Sequence, residues 1–170
     1  MSKKTKTPPA KPPRRPKAQQ GESSAQALRI LVASGVNLDL LGQRENEHYG
    51  HATLQDMEEQ LRAQILPVGI TIDLSFFQTN EETKYLDILM QGWDGAVLNP
   101  GAWTHTSLAL ADRLAAIKLR FVEVHVSKVM AREQVRQHSF IAPLALGCVS
   151  GFGIDSYRIG LLGLLGMITR

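Results

Sequence analysis

From residue 28 onward, short apolar runs alternate with amphipathic ones. Leu28 to Ala33 (LRILVA) reads as a strand. Thr53 to Leu66 places Leu54, Met57, Leu61 and Ile65 on one face of a helix, with Thr53 and Asp56 resembling a capping pair. Gly69 to Phe77 is rich in β-branched and aromatic residues and reads as a second strand. Glu82 to Gln91 is expected to be helical, with Tyr85, Leu86, Leu89 and Met90 as its apolar positions. Gly95 to Leu98 is a third strand. A helix then runs from Ser107 to Ile117, opened by Thr106 or Ser107 as its cap. Phe121 to Val126 and Leu144 to Val149 are a fourth and a fifth strand, and Ser156 to Ile168 a closing helix. No internal repeat is visible.

Strands alternating with helices imply a parallel sheet covered on both faces. Five strands with right-handed crossovers fit an α/β, flavodoxin-like fold, a five-stranded parallel sheet of order 2-1-3-4-5. Ligands in such sheets bind beyond the carboxyl ends of the strands, near the switch between strands 1 and 3. The chain's unusual polar residues fall at those ends. Strand 1 runs into Ser34 to Gly50, and strand 3 into Asn99 to Thr106. Strand 4 carries Glu123 and His125 and runs into a segment with Arg132, Arg136 and His138. The fold brings these three segments to one crevice.

The segments read SGVNLDLLGQRENEHYG, NPGAWTHTSLALAD and VEVHVSKVMAREQVRQHSFIAP. They resemble the NGPNLNLLGxREPxxYG, NPGAYTHTSxALxD and VEVHxSNxxxRExFRxxSxxxP motifs of the type II 3-dehydroquinate dehydratases. The resemblance spans nearly all of Ile30 to Tyr157, with three long motifs in the right order and spacing. It implies a hydro-lyase that eliminates water from 3-dehydroquinate through an enolate, in the shikimate route to aromatic amino acids. It implies no cofactor, no metal and no lysine Schiff base.

Such chemistry needs a base, a stabiliser for the enolate oxygen and an acid for the leaving hydroxyl. Tyr49 matches the family's base. A tyrosine acts as a base at neutral pH only if cations hold its phenolate; Arg44 and Arg132 match the arginines for that task. Asn37 matches the residue that orients a water toward the enolate oxygen. His125 matches the general acid, and Glu123, two residues earlier on the same strand face, can orient it. A metal site of Glu123, His125 and His105 is the weaker alternative, lacking a ligand-spacing signature. Asn99 and the main-chain amides of Val126 and Ser127 match the carboxylate-binding groups, and His105 and Arg136 those that take ring hydroxyls. Asp112 matches a residue reaching a neighbouring subunit's site, which implies trimers stacked into dodecamers.

This chain departs from the family pattern at several points. Ser34 and Val36 stand for Asn and Pro, Asp39 for a common Asn, and Asn46 for a proline. Trp103 stands for Tyr and Lys128 for Asn, and the connection after Asn80 is shorter. Every proposed catalytic side chain is kept.

Composition changes the picture at the amino terminus. The chain has 170 residues and a net charge of +3, but seven of its 19 Lys and Arg lie within the first 20 residues. The remaining 12 face 16 acids, so the rest of the chain is at −4. Residues 1–26 also hold Pro8, Pro9, Pro12, Pro13 and Pro16 and read as a disordered, basic, proline-rich tail. It is expected to act as a solubilising extension, weak contact with nucleic acid being the lesser alternative. Residues 27–170 read as a single catalytic domain. No apolar stretch is long enough for a membrane span, and the tail resembles neither a secretory nor a transit signal, so the expected location is the cytoplasm. Cys148, the one cysteine, reads as a buried packing residue in an apolar strand. A non-catalytic flavodoxin-like binding module is the rival from another class. The loop after strand 1 lacks the Ser/Thr/Gly-rich phosphate nest of a flavin binder, and Asn99 stands where a phosphoacceptor would be acidic.

Overall fold

The computed structural model describes residues 27–43, 52–64 and 70–170. The basic tail, Arg44, Asn46 and Tyr49, and the expected junction of the first helix with the second strand at 65–69, lie outside the described residues. Five parallel strands form one sheet in the order β2-β1-β3-β4-β5. They are β1 (Leu28–Ser34), β2 (Ile72–Gln78), β3 (Gly95–Asn99), β4 (Phe121–His125) and β5 (Gly147–Ser150). β1 and β3 pair so that Ser34 stands beside Asn99, and β4 meets β5 with Glu123 beside Cys148. This is the expected flavodoxin-like order.

Side chains alternate across β1, and so the sheet has two cores. Ile30 and Val32 pack with Val97, Val122 and Val124 under α1 (Leu54–Arg62) and α5 (Asp155–Ile168), which contribute Met57, Leu61, Leu161 and Leu164. Leu31 and Ala33 pack with Leu98 and Phe121 under α2 (Glu82–Ile88) and α4 (Leu108–Ile117), which contribute Tyr85, Leu110 and Leu114. Fully burying each such Leu or Val contributes about 1.5–3 kcal/mol. Trp103, at the start of the four-residue helix α3 (Trp103–Thr106), sets its ring edge-on to Tyr85 at 5.5 Å between centroids. The family departure at this position is thereby absorbed in the core.

Local signals place the helix starts. Thr53 and Asp56 form a reciprocal capping box on α1. Ser107, not Thr106, caps α4, its hydroxyl oxygen accepting from Leu110 N–H at 2.9 Å. Thr106 belongs to α3.

Two expectations are corrected at the sheet edge. The fifth strand begins at Gly147, not Leu144, because Ala142–Leu144 forms a 3-10 turn with Pro143 in its first turn. Cys148 is exposed rather than buried. β5 pairs only with β4, so it is an edge strand and lacks the cover of an interior one.

Candidate active site

The carboxyl ends of β1, β3 and β4 open into one cleft of about 180 Å³. Its floor depends on two loops that nearly touch. A methyl group on Gly35 would lie 2.3 Å from the Pro100 carbonyl oxygen, and one on Gly101, which has φ +66°, 2.6 Å from the Val36 carbonyl oxygen. Both obstacles are backbone, so neither can swing aside. Gly35 N–H also donates to Asn99 O at 2.7 Å. Gly35→Ala is therefore expected to lose about 1–3 kcal/mol of stability and to raise KM by displacing Asn37 from Asn99. Thermal unfolding and steady-state kinetics would check both.

The cleft brings together Asn37, Asn99, His105, His125, Val126, Ser127, Arg132 and Arg136, all anticipated from the sequence. Glu123 stands directly behind His125. Asp112 does not line this cleft; it is exposed on α4. Arg44 and Tyr49 fall outside the described residues.

His125 Nε2–H donates to Glu123 Oε1 at 2.7 Å. The carboxylate is only 1% exposed, yet it is richly supplied with donors. Thr104 donates its hydroxyl to Oε1, and Ser139 reaches Oε2 at 2.9 Å. Burial alone would raise the Glu123 pKa. Hydrogen bonds from His125 and Thr104, the His125 charge and Ser139 together outweigh burial, and the carboxyl lies below its ordinary 4.5. Glu123 is thus an anion at neutral pH. Holding the Nε2 proton leaves Nδ1 of His125 as the atom that gains or gives the second proton.

His105 is fixed in the opposite sense. Its Nδ1–H donates to the His138 carbonyl at 2.7 Å. Burial depresses its pKa, the His138 contact opposes this, and nearby His125 and Arg136 add to the depression. It is neutral at pH 7, with Nε2 as an acceptor. The two imidazoles lie nearly parallel, 6.1 Å apart. Among the described residues, no three His, Cys, Asp or Glu side chains are arranged to hold a metal ion.

Asn99 is 2% exposed, and its Oδ1 accepts from Gly101 N–H at 3.2 Å. Tyr157 shares a hydrogen bond with Ser34 Oγ at 2.8 Å. Burial pushes the Tyr157 phenol up to about 12, against the pull of hydrogen bonds from Ser34 and Asn99. Asn37 is in the left-handed region at φ 64°, a conformation asparagine tolerates well. Its N–H donates to Asn80 Oδ1 at 2.8 Å, and Asn80 Nδ2–H donates to Asp39 at 3.0 Å. Asp39, a departure from the family motif, is thereby held by Asn80. On the far wall, the exposed Glu133 lies 3.7 Å from Arg132 Nε and 3.1 Å from Arg136 Nε.

Three side chains escaped the sequence reading: Thr104, Ser139 and Tyr157. The first two sit inside the quoted WTHT and RQHS stretches. The signal that could have found them is Glu123 itself, because a carboxylate on an interior strand must be given donors.

Cys148 Sγ–H points at Glu123 Oε2 from 3.8 Å. Partial burial of the sulfur and the adjacent carboxylate push the thiol up to about 11, so it is protonated at neutral pH.

The chain as a whole has counterparts among known proteins. The family model described as "Dehydroquinase class II" matches residues 28–165. The 3-dehydroquinate dehydratase of Gloeobacter violaceus is 46% identical over 149 residues, 86% of this chain and 92% of the relative. The 3-dehydroquinate dehydratase 2 of Pseudomonas aeruginosa is 47% identical over 135 residues, 78% of this chain and 90% of the relative. The crystal structure of the type II dehydroquinase from Butyrivibrio crossotus superposes with a TM-score of 0.74 at 32% identity, covering 85% of this chain and 99% of that one. A match running through both cores and all three site segments leaves one conclusion: this chain belongs to the class II dehydroquinase family.

Proposed function

We propose that this protein is a 3-dehydroquinate dehydratase, a hydro-lyase of the shikimate route. The observation that carries the proposal is the buried Glu123–His125 pair, opening onto a cleft with Asn99, His105, Arg132 and Arg136. It supplies a proton donor whose conjugate base is held in place, facing groups suited to an anionic, polyhydroxylated substrate.

The reaction runs in two steps. Tyr49, as phenolate, takes a proton from the carbon beside the ketone, and the electron pair moves onto the carbonyl oxygen as an enolate. Arg44 and Arg132 hold the phenolate, and a water ordered by Asn37 donates to the enolate oxygen. The enolate then collapses. A carbon–carbon double bond forms, the C–O bond to the hydroxyl two carbons from the carbonyl breaks, and His125 delivers a proton so that the group leaves as water. Glu123 stabilises the imidazolium that gives up that proton. Asn99 and the amides of Val126 and Ser127 take the substrate carboxylate. Neutral His105 accepts from one ring hydroxyl, and Arg136 donates to another.

In this proposal Asp112, exposed on α4, completes the cleft of a neighbouring subunit in a trimer, and trimers assemble into a dodecamer. Residues 1–26 add a basic tail to this catalytic domain. The proposed location is the cytoplasm; among the described residues no helix is long and apolar enough to cross a membrane.

Purified protein given 3-dehydroquinate should produce the ultraviolet absorbance of a conjugated enone without added nucleotide, and a chelator should leave the rate unchanged. A wild-type protein that never generates the enone would reduce the assignment to a binding module.

A further inference from the structure

We propose that Thr104 and Ser139 are positioning residues that clamp the Glu123 carboxylate and thereby fix the ring orientation and tautomer of His125. The inference rests on the reading of His125 as the general acid.

Three observations support it. First, both hydroxyls aim at Glu123 although they come from separate segments, Thr104 from α3 and Ser139 from the loop after β4. Second, the hydroxyl protons have few uses outside the cluster, in which Thr104 Oγ1 and Ser139 Oγ also lie 3.1 Å apart. Ser139 Oγ already accepts from Ile141 N–H at 3.2 Å and Ala142 N–H at 2.9 Å, so its own proton goes to the carboxylate. Thr104 is 0% exposed and has no solvent to donate to. Third, with His125 Nε2–H as the remaining strong donor, the carboxylate receives hydrogen bonds on both oxygens. A carboxylate held at both oxygens cannot rotate away from the imidazole. A hydroxyl lost from this set frees Glu123 to turn, and the His125 ring turns with it.

The titratable groups around Glu123 are His125 on its own strand, Cys148 on β5, His105 on α3 and Tyr85 on α2. Cys148 and Tyr85 are neutral at working pH, and His105 is neutral at pH 7. Loss of a hydroxyl donor is therefore felt mainly by Glu123 and His125.

Thr104→Val is the cleaner test, since Val keeps the volume and Thr104 Oγ1, unlike Ser139 Oγ, accepts from no backbone amide within hydrogen-bond distance among the described residues. With 3-dehydroquinate as substrate, kcat should fall roughly ten- to a hundredfold, with KM changed less than about twofold. The acid limb of the kcat profile should move to higher pH, because Glu123 then protonates more readily. Thr104→Ser should restore both the rate and the profile. ¹⁵N NMR of the histidines gives a readout independent of turnover: the hydrogen-bonded Nε2–H signal of His125 should weaken in Thr104→Val and return in Thr104→Ser. An unchanged kcat, pH profile and His125 signal in Thr104→Val would overturn the proposal. So would a loss of activity that Thr104→Ser cannot restore and that follows the fall in thermal midpoint. A wild-type protein inert toward 3-dehydroquinate would sink the functional assignment instead, and the NMR arm would still decide whether the clamp sets His125.

Discussion

Glu123→Gln is expected to cost about 3–5 kcal/mol of folding stability, the usual cost of taking one partner from a buried charged pair. For a domain of this size that lowers the thermal midpoint by on the order of 10 °C. The cause is a surplus of donors. His125, Thr104 and Ser139 all donate to this carboxylate. A glutamine offers one acceptor oxygen and turns an NH₂ group toward at least one of those donors. The same change removes the anion that stabilises the His125 imidazolium, so kcat should drop by ~10²–10⁴.

The pH dependence separates this from a simple packing defect. The folded Glu123 carboxyl lies below its ordinary 4.5, so near that pH the native state binds fewer protons than the unfolded chain. Its contribution to stability is complete above the unfolded value, and is lost as pH falls through the lower native one. The glutamine variant has no such term. Urea denaturation from neutral pH downward should show wild type and variant converging as Glu123 protonates. A gap that stays constant into strong acid would mean the neighbours do not hold the carboxylate ionised.

Much of the fold could be read locally, because the signals are local. Thr53 and Asp56 are three residues apart, and Ser107 caps the helix it begins. The apolar runs at residues 30–33 in β1 and 95–98 in β3 are continuous because both faces of an interior strand are covered. β5 misled for the same reason in reverse. Leu144 and Leu146 look like strand residues, but they are exposed at the sheet edge, and Leu144 belongs to the 3-10 turn that precedes the strand.

The site was legible wherever strand ends determine it. Asn99, Glu123 and His125 belong to strands whose neighbours follow from the sheet order. What periodicity could not show was the set of partners. Thr104 meets Glu123 from 19 residues away and Ser139 from 16, and Asn80 reaches Asn37 across 43. These contacts depend on how loops fold over one another, which neither helical nor strand spacing encodes.

Tyr49→Phe should lower kcat by ~10²–10⁴ while leaving KM within a few-fold, because only the proposed base is removed. The sequence holds three tyrosines, and the structure disqualifies two of them. Tyr85 is fully buried, donates its hydroxyl to the Ala33 carbonyl, and is pushed well above the ordinary phenol value by burial. Tyr157 is also buried and raised, to about 12. Both stay protonated where the enzyme works, and Tyr49 is the remaining phenol. To serve as base it must lose its proton near neutral pH, which requires lowering its pKa by ~2–3 units, or about 3–4 kcal/mol of preferential phenolate stabilisation. Arg132 is suited to supply part of that. It lines the cleft with its side chain 17% exposed, and Glu133, 3.7 Å from its Nε, is at the surface, where solvent screens it. In the proposed mechanism Arg44 supplies the rest. Tyr85→Phe, the control, should retain wild-type kcat. Titration of wild type should show a phenolate absorbance near neutral pH that is missing in Tyr49→Phe. If Tyr49→Phe kept the wild-type kcat, the proton would have to be taken by another group, and the roles given to Arg44 and Arg132 would fall with it.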